Sequence, residues 1–307
     1  KDRIWLCDLH YIKDEPREHN GVIVVRDGAQ EPPPQINELE GAADFDAFGI
    51  TRTTSRDYGG ADWERNIVWK KGAYFLFLDR VTARLGGQYR LENRWRTRGD
   101  VDLAGNALSV KQGDKEFFIK SADNAARALS VQPDEPRGHW DYPYGNGVTT
   151  ISLARKELPM APGAAWTFAN LMYAADASPK SAADYDIEKA GDELYAVSGP
   201  GGVETVGLKA ACLAKLGITS DCGLFVRSGE RLDLFNLTQF AWGEFAVQSP
   251  GPVSLEIDFR AAGVTLLVPP GAAGDFVLRN LAVPGPRGPG KEGRPAADSS
   301  VINLKSG

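Results

Sequence analysis

The sequence predicts an all-β protein, a large antiparallel β-sandwich with very little helix. Three observations carry this. Runs of four to eight β-branched, aromatic and aliphatic residues recur along the 307 residues, each bounded by Gly, Pro, Asn or Asp. The segment 88–98 alternates: Tyr89, Leu91, Asn93, Trp95 and Thr97 fall on one face, and Arg90, Glu92, Arg94, Arg96 and Arg98 on the other. No regular succession of strand and helix patterns signals a parallel sheet.

In chain order the predicted strands cover 21–25, 67–69, 74–81, 88–97, 116–120, 149–154, 166–173, 185–189, 224–227, 232–237, 253–259, 264–268 and 276–281. Residues 74–78 are apolar without alternation, which suits a strand covered on both faces. The one helical pattern is short, over 208–216, and Gly217 ends it. Pro32-Pro33-Pro34 is stiff and extended. The Gly/Pro-rich segment 284–295 reads as a linker or tail, and 301–304 as a last edge strand or simply disordered. The expected organisation is a sandwich domain over 1–283, subdivided near 179–183, followed by the tail 284–307. No internal repeat is visible.

Composition sets limits on function. A 42% hydrophobic chain can bury a real core, and a net charge of −6 with a pI near 5.3 argues against nucleic acid as a partner. No apolar run is long enough for a membrane-spanning helix. Three cysteines are too few for a disulfide scaffold; Cys212 and Cys222 can close a small loop, leaving Cys7, or all three stay reduced. Asn236-Leu237-Thr238 is a glycosylation sequon of the kind that occurs by chance. There is no Gly-x-Ser-x-Gly elbow, no phosphate-cradling Gly-x-x-x-x-Gly-Lys loop and no Cys-x-x-Cys pair.

Two motifs go further. Near the start the chain reads His19-Asn20-Gly21-Val22-Ile23-Val24-Val25-Arg26-Asp27-Gly28-Ala29-Gln30. Downstream, Trp63-Glu64-Arg65 leads into Tyr74-Phe75-Leu76-Phe77-Leu78-Asp79-Arg80-Val81. In order and spacing this pair resembles the C-terminal β-domain of heparinase II/III-like polysaccharide lyases. In that family a His-Asn-(Thr or Val) step opens a strand ending in Asp-Gly and Gln, and a later strand closes on Asp-Arg-Val. The resemblance covers residues 1 to about 285 and rests on the first 100 or so.

The resemblance implies a secreted or cell-surface module that binds or positions an acidic polysaccharide. β-Elimination of a uronate polymer needs a carboxylate clamp, a base and an acid. The family's α/α toroid, which carries a catalytic Tyr, is absent from this sequence, as are the His-x-His segment and the Asp-x-Gly strand that normally precede the His-Asn step. The chain, which opens on Lys1, is therefore expected to be part of a longer enzyme or a stand-alone relative, not catalytic alone. Its expected associations are with an N-terminal domain or with itself. The alternative is a non-catalytic structural subunit of a cell-surface or extracellular assembly.

Four features are candidates for chemistry. By resemblance, His19 can lie near a structural metal, zinc or calcium, or on a cleft floor; it can equally just bond to backbone at a strand start. Asp79 and Arg80 form either a solvated turn or a buried pair with an Arg such as Arg65, and the resemblance implies a fold signature more than a catalytic step. Arg90, Arg94, Arg96 and Arg98 form a row spanning about 26 Å that suits a polyanion, or pairs with acids of adjacent strands. His139, Trp140, Tyr142 and Tyr144, in a Pro/Gly-rich loop, can form a sugar-stacking platform or cover the end of the sandwich.

Overall fold

The structure, a computed structural model, describes residues 3–8, 16–133, 148–178, 183–243, 245–259, 263–268, 277–279 and 302–306. It is all-β. The chain divides into two units, Lys1–Glu40 with Arg52–Asp184, and Gly41–Thr51 with Tyr185–Gly307.

The first unit contains a five-stranded antiparallel sheet. Its order is β11 (Ala126–Pro133), β12 (Val148–Met160), β7 (Gly87–Arg98), β1 (Gly21–Arg26) and β2 (Ala29–Gln30). Asp27 (φ 51°) and Gly28 (φ 81°) turn β1 into β2, the two consecutive positive angles that a tight hairpin needs. An eight-stranded sheet follows the order β3 (Glu38–Asp44), β4 (Phe48–Tyr58), β5 (Ala61–Lys70), β6 (Tyr74–Ala83), β13 (Ala165–Asp176), β10 (Lys115–Ser121), β9 (Ala107–Gln112) and β8 (Asp100–Ala104). The segment 41–51 between and within β3 and β4 groups with the second unit.

The alternation in β7 decides how the sandwich closes. Tyr89 and Leu91 join Val22 and Val24 of β1 and Ala154 of β12 against Val81 of β6 and Phe168 of β13. Further along, Trp95 packs with Leu108, Val110, Phe117, Ile119 and Met172. Each large side chain so buried contributes roughly 1.5–3 kcal/mol. Strand β6 is less covered than its apolar run predicts: Leu76 and Leu78 are buried, whereas Phe75 is 43% exposed.

The second unit contains a ten-stranded sheet. Its path is β14 (Asp186–Gly191), β15 (Leu194–Gly199), β16 (Gly202–Gly207), β18 (Leu224–Ser228), β19 (Arg231–Trp242), β20 (Phe245–Asp258), β21 (Gly263–Val268) and β23 (Ile302–Ser306). Off that path, β17 (Ile218–Ser220) pairs with β19 and β22 (Val277–Arg279) with β20. The β21–β23 pair is parallel, unlike its neighbours. Leu232, Leu234, Phe240, Val253, Leu255 and Ile257 centre its core.

The expected helix over 208–216 is a 3-10 helix, Ala210–Leu216, ended by Gly217 in the left-handed region. The sequon lies where β19 shifts register. There the Thr238 hydroxyl donates to Asp221 at 2.6 Å. Burial raises the Asp221 carboxyl, but this bond and those from the Thr238 and Gln239 N–H groups outweigh it and hold the group below its usual range. Cys7, Cys212 and Cys222 are free thiols, so the small loop that Cys212 and Cys222 can close is not made. Among the described residues no helix is long and apolar enough to cross a membrane.

Candidate functional site

The two motifs meet in the first unit. Asn20, at the entry to β1, uses its whole side chain. Its amide donates to the Cys7 carbonyl (3.2 Å) and to Asp8 Oδ1 (2.9 Å). Its amide oxygen accepts the Arg96 backbone N–H at 2.7 Å. The N-terminal segment is thereby tied to both β1 and β7. Asp8 Oδ2 lies 3.3 Å from Nδ1 of His19, so one carboxylate serves both halves of the His-Asn step. Gly21 follows because a Cβ there would lie 3.0 Å from the Trp63 ring.

The Asn20 carbonyl also accepts from Arg65 Nη1 at 2.9 Å, which leads into the core. Arg65 on β5 grips Asp79 on β6 with two bonds, 2.7 and 3.0 Å. Trp63 Nε1 (3.0 Å) and Asn93 Nδ2 (3.0 Å) complete the Asp79 carboxylate. Asn93 in turn accepts from Asn170, and Asn170 from the Ser121 hydroxyl. The Arg65 guanidinium also lies 5.1 to 5.6 Å from the Trp63, Trp95 and Phe77 ring centres. Asp79 is 0% exposed, so a charge with fewer partners there would be costly. Of the two readings for the Asp-Arg step, the structure selects the buried pair with Arg65. Arg80 instead bonds Glu64 (3.0 Å) and Thr82 (2.6 Å).

The opposite face of β7 carries the second cluster. Glu92 is nearly buried, and three arginines converge on it. Arg90 Nε lies 3.3 Å from Oε1, Arg94 Nη2 3.0 Å from Oε2, and Arg155 Nη2 3.0 Å from Oε1. Arg155 arrives through the register of β12, which sets it opposite Glu92. Three guanidinium groups share this carboxylate, and the same register sets Glu157 opposite Arg90, so three arginines face two carboxylates and one positive charge is in excess, with Arg90 43% and Arg155 47% exposed.

This changes the predicted row. Arg96 is 1% exposed and donates to the Arg17 carbonyl at 3.4 Å. Burial holds its guanidinium below its usual value, against the pull of Cys7, Glu18 and Asp8. It belongs to the interior, not to an accessible stripe. Arg98, half-buried, lies beyond it at the end of β7. The accessible arginines form a focus around Glu92 instead of a rail along the strand.

His139, Trp140, Tyr142 and Tyr144 lie outside the described residues, in the segment that joins β11 to β12. Among the described residues, no three His, Cys, Asp or Glu side chains stand together as a metal site. Sequence reasoning missed Arg155, and with it Glu92 as a hub. The alternation of Ile151, Leu153, Arg155 and Glu157 was a usable signal, but only strand register pairs Arg155 with Glu92.

No protein-family model matches this chain, and no curated protein matches it. Among solved structures it is similar to heparan sulfate lyase HepC from Pedobacter heparinus, at 14% identity and a TM-score of 0.49, over 67% of this chain and 34% of that one. It is also similar to heparinase III, at 12% identity and a TM-score of 0.45, over 61% of this chain and 29% of that one. The chain thus spans about a third of the length of these structures.

Proposed function

We propose that this chain is a polysaccharide-lyase-related β-module, acting outside the cell or at its surface, that binds or positions an acidic polysaccharide. The observation that carries this reading is the Arg90–Arg94–Arg155 focus on Glu92. Guanidinium groups in excess over their carboxylates, partly exposed, can each turn spare N–H donors to a carboxylate or sulfate. The residues that carry the family resemblance support the same reading, since Asn20, Trp63, Arg65 and Asp79 belong to one bonded network.

Glu92 is the floor of the site. It holds three mutually repelling arginines together and leaves room for a ligand anion on the solvent side. The chain supplies binding and orientation and does not complete a β-elimination set by itself. His19, already engaged with Asp8, serves to hold the N-terminal segment.

The test is binding of polyuronate and sulfated glycans by calorimetry at several salt concentrations. Arg94→Ala with Arg155→Ala should weaken binding and flatten its salt dependence, with the fold unchanged. Unaltered affinity in that double variant overturns the assignment. Purified chain should release no unsaturated uronate product from heparin, alginate, hyaluronan or ulvan; turnover abolished by His19→Ala would make the module itself the catalyst.

A further inference from the structure

The outer arginines of β7 and β12 are gathered to a point. Arg90 and Arg94 stand four residues apart on β7, about 13 Å along the strand, yet both reach Glu92, which lies midway between them. Arg155 reaches the same carboxylate from β12. Each of the three guanidinium groups therefore lies within 3.3 Å of one pair of oxygens. A row of separate arginines offers one cation to each of several ligand charges. A convergent set turns its spare N–H donors to one.

Charge balance sets the same limit. The register of β12 places Glu157, an exposed residue, directly opposite Arg90. Cross-strand neighbours of opposite sign attract, so Glu157 offsets part of the charge of the focus. Three arginines against Glu92 and Glu157 leave one positive charge in excess. The next arginines along β7 do not extend the focus toward solvent. Arg96 is 1% exposed and has Glu18 and Asp8 near its charge. Arg98 is half-buried at the end of the strand. The chain as a whole carries a net charge of −6 and repels further ligand anions.

We propose that the focus takes a single acidic group at a time, the carboxylate or sulfate of one sugar, and that Glu157 sets this limit. This rests on the glycan-binding function proposed above and narrows its ligand class. One ligand anion brings the cluster to neutrality, and a second meets a balanced surface. The site reads acidic sugars singly, so a denser run of charges along the glycan adds little.

Calorimetry of the full chain across a salt series tests this with three hexasaccharides. Hyaluronan carries a carboxylate on every second sugar, galacturonate one on every sugar, and heparin carries sulfates as well. All three should bind with affinities within about fivefold of one another and with a slope of log Kd against log salt of about one. Binding of heparin alone, again with a slope of about one, assigns the acidic group as sulfate. Glu157→Gln, at an exposed position, should steepen the heparin slope toward about two and tighten heparin by about two- to fivefold. A wild-type slope of about two or more, with affinity climbing from hyaluronan to heparin, overturns the inference and leaves the glycan-binding function standing. No binding of any of the three overturns both. An unchanged heparin slope in Glu157→Gln overturns the role of Glu157.

Discussion

Of the arginine–carboxylate clusters in the first unit, the two on opposite faces of β7 are opposites in chemistry. In the core, one arginine meets one carboxylate with two bonds, and Trp63 and Asn93 satisfy the remaining acceptor capacity of Asp79. On the outer face, three arginines compete for Glu92, and Arg90 and Arg155 keep much of their surface in water. A closed charge balance locks two sheets together. An open one stores binding capacity. The same residue types thus serve architecture or recognition according to how many partners the register of the strands brings to them.

The largest expected effect tests the closed cluster. Asp79→Ala leaves the Arg65 guanidinium without its carboxylate, with Trp63 and Asn93 unsatisfied, and should cost about 3–5 kcal/mol in urea unfolding. A loss below about 1 kcal/mol would mean that the pair does not organise the core. Arg96→Ala comes next. It removes a buried side chain and its bond to the Arg17 carbonyl, for about 1–3 kcal/mol. If stability is untouched while glycan affinity falls, Arg96 belongs with the outer focus after all.

Arg94→Ala with Arg155→Ala should change stability by no more than about 1 kcal/mol, since Arg155 is exposed and Glu92 keeps Arg90. A drop as large as that of Asp79→Ala would erase the contrast between the two clusters.

The smallest effect is a pH dependence. Burial pushes the Tyr58 hydroxyl up to about 12 from its ordinary 10.0. Between those values the unfolded chain has released this proton and the folded chain still holds it. The Tyr58 contribution to stability is therefore intact below pH 10 and is lost as pH rises toward about 12. Tyr58→Phe should make the alkaline limb of the stability profile shallower. An identical limb in both proteins would show that Tyr58 ionises equally in the two states.

Pattern alone revealed the strands whose burial alternates or is continuous, such as β1, β7 and β13, because side-chain direction has a period of two. It did not reveal β3 or β8, whose acids and small residues give weak apolar contrast. The 3-10 geometry of Ala210–Leu216 was likewise hidden, since a short helix of either kind has the same end signal in Gly217.

The fold class, the two faces of β7 and the motif residues Asn20, Arg65 and Asp79 are legible without coordinates, since they depend on residue type and local spacing. What those residues do follows from the packing of the sheets. It buried Arg96, brought Arg155 across to Glu92, and joined Asn20, Arg65, Asp79 and Asn93 from four places in the chain. The physical reason is that the environment of a charge is set by strand register and sheet packing, which link residues far apart in sequence, whereas alternation is a property of each strand alone.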